Sequence, residues 1–347
     1  MNVVDYMLLD CFQNVNGERS AQGIIHILSG KKTAQSLADA QLFGIGKYYA
    51  VLSSLKKNEL EEKTAVLFAE SLIEELSNGV FIVTKKGEKI VGYNHYPFLR
   101  HLSGLAHWNI EHHFWLSLSL YIQSISNMLA HNSRFLPVVT DYQAVRSVKA
   151  LFPKTEAERK ESAVRLYHEM VQLLENYGNS QIASLFLQRA TRFERIGSTF
   201  EQLSHDFGTS EEEVRMMFRS LLHFILTKVK EHPHEYEELH RFIPPGHSES
   251  LTNSARATLS LLQEGYPLDE IERLRKLKRS TLEDHLVEIA RSVKGFDISP
   301  FISSEELRLV KEISRTLKDR KLKGIRDQAE TLSYLKIRLA IAKEGWG

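Results

Sequence analysis

The stretch SARATLSLLQEGYPLDEIERLRKLKRSTLEDHLVEIARSV, residues 254–293, spaces its apolar side chains as three short helices with a tight corner between the last two. Ala257, Leu259 and Leu262 form one apolar face, Gly265-Tyr266-Pro267 interrupts it, and Leu268, Ile271, Leu274 and Leu277 resume it. Ser280 or Thr281 is placed to cap the next helix, in which Leu282, Leu286 and Ile289 repeat at helical spacing and leave the opposite face pointing outward. This is the layout of a helix-turn-helix. Arg273, Arg275, Lys276, Lys278 and Arg279 cluster at the entrance of the last helix, where a helix N-terminus adds donors and a partial positive charge for phosphate oxygens. Two residues depart from the motif: Glu272 stands where close packing prefers a small side chain, and Lys276 where the turn prefers glycine. The alternative is a helix-corner-helix unit without nucleic acid, its arginines and lysines forming a solvated face.

Charge supports the first reading. The 347-residue chain has a formal net charge of +1, but residues 271–347 carry 18 Lys and Arg against 12 Asp and Glu, so the positive field gathers at the motif. A composition of 42% hydrophobic and 26% charged residues is that of an ordinary globular protein of two or three domains. No apolar run approaches the roughly 20 residues needed to cross a bilayer, and the N-terminal residues lack the pattern of a signal peptide. The single Cys11 excludes an intramolecular disulfide and points to the cytoplasm; among Tyr6, Leu8, Leu9 and Phe12 it reads as a core thiol.

The organisation predicted is mainly α, with three parts. Residues 1–95 read as a winged-helix-like domain: helices over Gln22–Leu28, from a Thr33 cap to Leu42, and over Lys57–Leu76, then strands at 80–84 and 89–93 with Lys85 and Lys86 at the basic turn between them. Such a wing can lie on a phosphate backbone, or the hairpin can simply close the domain. Residues 96–243 read as a helical middle domain, with helices at 110–129, 156–175 and 181–193. Within it, Thr199–Arg215 repeats the helix-turn-helix pattern, with Gly208 at the corner, a Ser/Glu capping box, and Leu203, Val214 and Met217 at packing positions. Its second helix opens on Glu211-Glu212-Glu213, which repels phosphates, so it reads as a structural or protein-binding unit. Pro244-Pro245-Gly246 and His247-Ser248-Glu249-Ser250 mark a linker, and residues 247–347 form the C-terminal helix-turn-helix domain.

Catalytic signatures are lacking. Gly30-Lys31-Lys32-Thr33 has Ile25 in place of a leading glycine and no preceding strand, so it is not a phosphate-binding loop. His95, His101, His107, His112 and His113 come without metal-ligand spacing and read as core or surface imidazoles. The expectation is a protein that is not an enzyme and needs no cofactor.

The run Ile271–Leu286, with Arg275 before the turn and Ser280-Thr281-Leu282 leading into Asp284-His285-Leu286, resembles the helix-turn-helix domain at the C-terminus of some RecQ-type helicases and in the YpbB family. Asn16-Gly17-Glu18-Arg19, His26–Lys32, and the tail Leu322–Arg326 with Tyr334, Ile337 and Arg338 are also similar to the YpbB family. This resemblance implies a non-catalytic partner of a RecQ-type helicase, cytoplasmic and nucleoid-associated, that binds DNA in repair, recombination or fork processing. On this reading Lys278, Arg279, Ser280, Thr281 and His285 face DNA, Arg275 and Lys276 meet phosphates, and Lys85 and Lys86 serve the wing. A transcription regulator reading an operator and a scaffold binding only protein are the alternatives.

Overall fold

The computed structural model describes residues 1–244, 251–293, 295–317 and 322–344, and over these the chain is mainly α-helical. In chain order the elements are α1 Val3–Val15, α2 Ala21–Leu28, α3 Ala34–Leu42, α4 Lys57–Ala69, β1 Ile73–Ser77, β2 Val80–Val83, α5 Lys85–Gly92, α6 Gly104–His107, α7 Glu111–Leu129, α8 Tyr142–Leu151, α9 Glu156–Asn176 and α10 Ser180–Arg189. There follow α11 Phe200–Phe207, α12 Glu211–Glu231, α13 Glu237–His240, α14 Asn253–Gln263, α15 Leu268–Arg275, α16 Arg279–Ser292, α17 Ser304–Thr316, α18 Leu322–Gln328 and α19 Tyr334–Glu344. Apart from Pro244, the linker expected at 244–250 lies outside the described residues.

Many helix starts are set by local chemistry. Ser20, Thr33 and Ser210 each accept a backbone N–H from the first turn of the helix that follows. Thr155 with Glu158 and Ser303 with Glu306 close reciprocal capping boxes. Contacts divide the chain into two compact units that do not follow chain order: Met1–Asp10 with Lys85–Ser248, and Cys11–Thr84 with Glu249–Gly347. The first and last stretches of sequence, expected as separate modules, therefore contribute to one unit.

In that second unit the hairpin follows the helices, as in a winged-helix plan, but its register corrects the expectation. The strands pair Ile73 with Val83, Glu74 with Ile82 and Glu75 with Phe81, and the turn is Asn78-Gly79. Both turn residues have positive φ, 27° and 77°, the conformation that a tight hairpin turn requires and Asn-Gly supplies. Helix α4 stops at Ala69 because Ser71 also turns to positive φ. Lys85 and Lys86 are consequently not a hairpin tip; they begin α5, and they fall in the other unit. The hairpin packs by its aromatic face, Phe81 meeting Phe12 and Phe68 edge-on.

The first unit is built on α7 and α12, which carry long buried faces. The helix-corner-helix expected at 199–215 is present, with Gly208 left-handed and Leu203 and Val214 fully buried. Met216 is buried while Met217 is only partly so, and Glu213 accepts the Thr209 hydroxyl at 2.6 Å in place of the expected reciprocal cap. A polar cluster crosses the interior: Glu111 accepts Arg219 Nε at 2.7 Å and lies 3.1 Å from His223 Nε2, while His223 Nδ1 accepts the Ser103 amide at 2.9 Å. His107 Nε2 lies 2.9 Å from the Thr227 hydroxyl, and the His101 ring packs on Tyr177 and Phe224. Among the described residues no group of His, Cys, Asp or Glu is arranged to hold a metal ion, and no helix is long and apolar enough to cross a membrane.

Candidate nucleic-acid interface

Helices α14, α15 and α16 form the trihelical unit read from the sequence. Its anchor is a small core in which Leu251, Ala255 and Leu259 meet Ile289, with Leu262 and Val293 packed against it. Leu282 and Leu286 are fully buried, as their spacing implies, but Ala257 is exposed and Leu274 is 57% exposed, so α15 is held chiefly by Ile271.

The corner turns at Lys276, whose φ of 52° is left-handed. Its amide donates to Arg273 O and that of Leu277 to Glu272 O, closing the end of α15 as a glycine corner would. A side chain there costs about 1–2 kcal/mol over glycine, and in return the lysine ammonium is carried outward at the corner. Lys278, not Ser280 or Thr281, is the N-cap residue of α16, and it gives no side-chain cap. The first turn of α16 thus keeps amide donors unclaimed by a capping side chain, a setting that favours an anion.

The basic residues divide. Lys276, Lys278 and Ser280 are exposed, Thr281 is half-buried, and among the described residues neither lysine forms an ion pair. Arg279 is exposed but donates to Asp269 Oδ1 at 2.5 Å, with Glu272 4.0 Å away. Arg275 turns inward: Nη1 donates to Ser254 O at 2.7 Å and to the Thr258 hydroxyl, and Nη2 to Ser254 Oγ at 3.1 Å. It ties the corner to α14. His285, expected to face DNA, is corrected by its burial; its Nδ1 meets Thr258 Oγ1 inside the unit.

The outward face of α16 also differs from the expectation. Asp284 accepts Arg338 Nη2 of α19 at 2.6 Å, Val287 and Ala290 are buried, and α3 packs on the same helix. Beyond Asp284 the helix is enclosed, because α14, α19 and α3 all lie against it. Only the corner and the first turn remain at the surface. Periodicity could not reveal this, since Val287, Ala290 and Arg291 look like a mixed outer face until another element covers them.

A corner of this geometry, with its supporting helix and small core, defines a helix-turn-helix domain, and residues 254–341 match the family described as "Helix-turn-helix domain". The chain as a whole is similar to Protein YpbB of Bacillus subtilis (strain 168), at 29% identity over 99% of this chain and 98% of that protein. No solved structure matches the chain.

Proposed function

We propose that this protein binds DNA through the corner of its C-terminal helix-turn-helix and serves as a non-catalytic, cytoplasmic and nucleoid-associated partner of a RecQ-type helicase in repair, recombination or fork processing. The observation that carries the DNA half is the exposure of Lys276, Lys278 and the uncapped first turn of α16 while the rest of that helix is enclosed. Such a surface suits phosphate contacts, which position a protein without reading sequence. Base reading along a groove needs the outward side chains of a recognition helix, and here Asp284 is paired and Val287 buried. This favours an accessory factor over an operator-reading regulator.

The helicase half rests on the resemblance of the corner and of the two chain ends to the RecQ-type domain and the YpbB family. The test measures binding of the full chain to fluorescent forked and plain duplex DNA across a salt series, and copurification with the RecQ-type helicase of the same genome. The expected result is salt-sensitive binding that tolerates changes of sequence, and capture of the helicase. Preference for one palindromic sequence would establish the regulator instead. Helicase capture with no DNA binding at low salt would leave the scaffold.

A further inference from the structure

Within the second compact unit, α3, α16, α18 and α19 line a half-open cavity of about 310 Å³. Three guanidiniums line it, from Arg19, Arg291 and Arg338, together with an apolar wall that includes Ala38, Val287 and Ile341. Two of the three arginines are already answered. Arg19 grips Asp39 with Nε and Nη2, both at 2.8 Å, and gives Nη1 to Glu18 O at 2.7 Å; Arg338 is held by Asp284.

Arg291 is not. Its Nη2 is buried and has no hydrogen-bond partner among the described residues. The neighbouring carboxyl, Glu288, acts on Arg291 through space but spends its hydrogen bonds on Thr252, whose amide and hydroxyl donate to it. Tyr49 supplies no counter-charge, since burial pushes its phenol up to about 12. A buried guanidinium with a donor unspent is unfavourable unless a partner reaches it.

We propose that this cavity is a binding site for a small organic anion, a phosphate or carboxylate carried on an apolar body, with Arg291 as its principal anchor. The planar fork of arginine matches either oxyanion, and the apolar wall takes the body. The volume stands at the lower end of the roughly 300–1,000 Å³ of small-molecule sites, room for one ring and its anionic group. The site is distinct from the DNA-facing corner and does not depend on it.

Isothermal titration calorimetry on the full chain tests this with phenyl phosphate, benzoate and inorganic phosphate as probes. Saturable binding of phenyl phosphate or benzoate at one site is expected, and comparison of the two tells which oxyanion is preferred. Arg291→Gln should weaken it at least tenfold. Ala38→Phe, which fills the cavity from the α3 side, should abolish it, with circular dichroism confirming that each variant is folded. Should Arg291→Gln not fold, Ala38→Phe decides alone. The proposal is overturned by an absence of saturable binding of both aromatic probes at millimolar concentration, by binding that survives the folded variants unchanged, or by inorganic phosphate binding as tightly as phenyl phosphate.

Discussion

His285 Nδ1 lies 2.8 Å from the Thr258 hydroxyl, and Arg275 donates to that same oxygen. Arginine can only donate, so the Thr258 hydroxyl accepts from Arg275, and the same oxygen joins that guanidinium to the buried His285 ring. Burial, and then the adjacent Arg275 charge, hold the His285 pKa below its ordinary value against the opposing pull of Asp284. Arg275→Ala should therefore destabilise the helix-turn-helix by about 1–3 kcal/mol in denaturant melts, the range for leaving a buried partner unsatisfied. DNA affinity should fall only as far as the folded fraction falls. A fully folded Arg275→Ala protein with a tenfold weaker DNA affinity would restore this side chain to the phosphate-contacting set.

Salt dependence distinguishes the exposed lysines from the paired arginine. Each phosphate contact contributes about one unit to the slope of log affinity against log salt. Lys276→Ala with Lys278→Ala should lower that slope by about two in fluorescence anisotropy, equally on unrelated sequences. Arg279→Ala should change it less, because Asp269 already occupies its guanidinium. A larger effect from Arg279 than from both lysines would place the contact on the wrong side of the corner. Leu282→Asp should instead unfold the domain, since Leu282 is fully buried and the carboxylate finds no partner there.

In the first unit, His107 should govern acid stability. Burial, followed by the nearby His223 and Lys230, drives its pKa down to about 2. An unfolded chain takes up that proton near pH 6.5, so the neutral ring's stabilisation is fully present above that value and is lost as pH falls toward 2. The loss is about 1.4 kcal/mol per pH unit. Glu111 acts lower: burial alone would raise it, but His223 and Arg219 hold it at about 2, so its contribution is lost only below pH 4.5. Between pH 6.5 and 5 the thermal midpoint should therefore decline, and His107→Gln should flatten that decline. An identical slope in the variant would rule His107 out as its source.

Gly197 is a backbone requirement. A Cβ there would stand 2.1 Å from the Arg189 carbonyl oxygen, while its amide donates to Thr191 Oγ1 at 3.0 Å. Gly197→Ala should destabilise the chain by about 1–3 kcal/mol, the usual effect of overpacking, read from denaturant midpoints. A midpoint unchanged from the parent would mean that the 189–197 loop can open without consequence.

Sequence alone determined most of the helices and many of their starts, because caps and apolar spacing act within a turn or two of the chain; α5, expected as a strand, and the end of α4 are the exceptions. The caps of α3, α9, α12 and α17 and the corner at Lys276 are of this kind. The hairpin register is also written locally, in Asn78-Gly79, although the basic stretch at Lys85 and Lys86 offers a competing turn in the sequence. What only the tertiary structure decided is which faces are covered and by what. Periodicity marks an apolar stripe but cannot say that α3, more than two hundred residues earlier, lies on α16, or that α19 pairs Arg338 with Asp284. For that reason Arg275 and His285, which carry polar groups at positions that look external, turn inward to Thr258, and Arg291 ends at a cavity wall: burial there depends on long-range packing that no local pattern encodes.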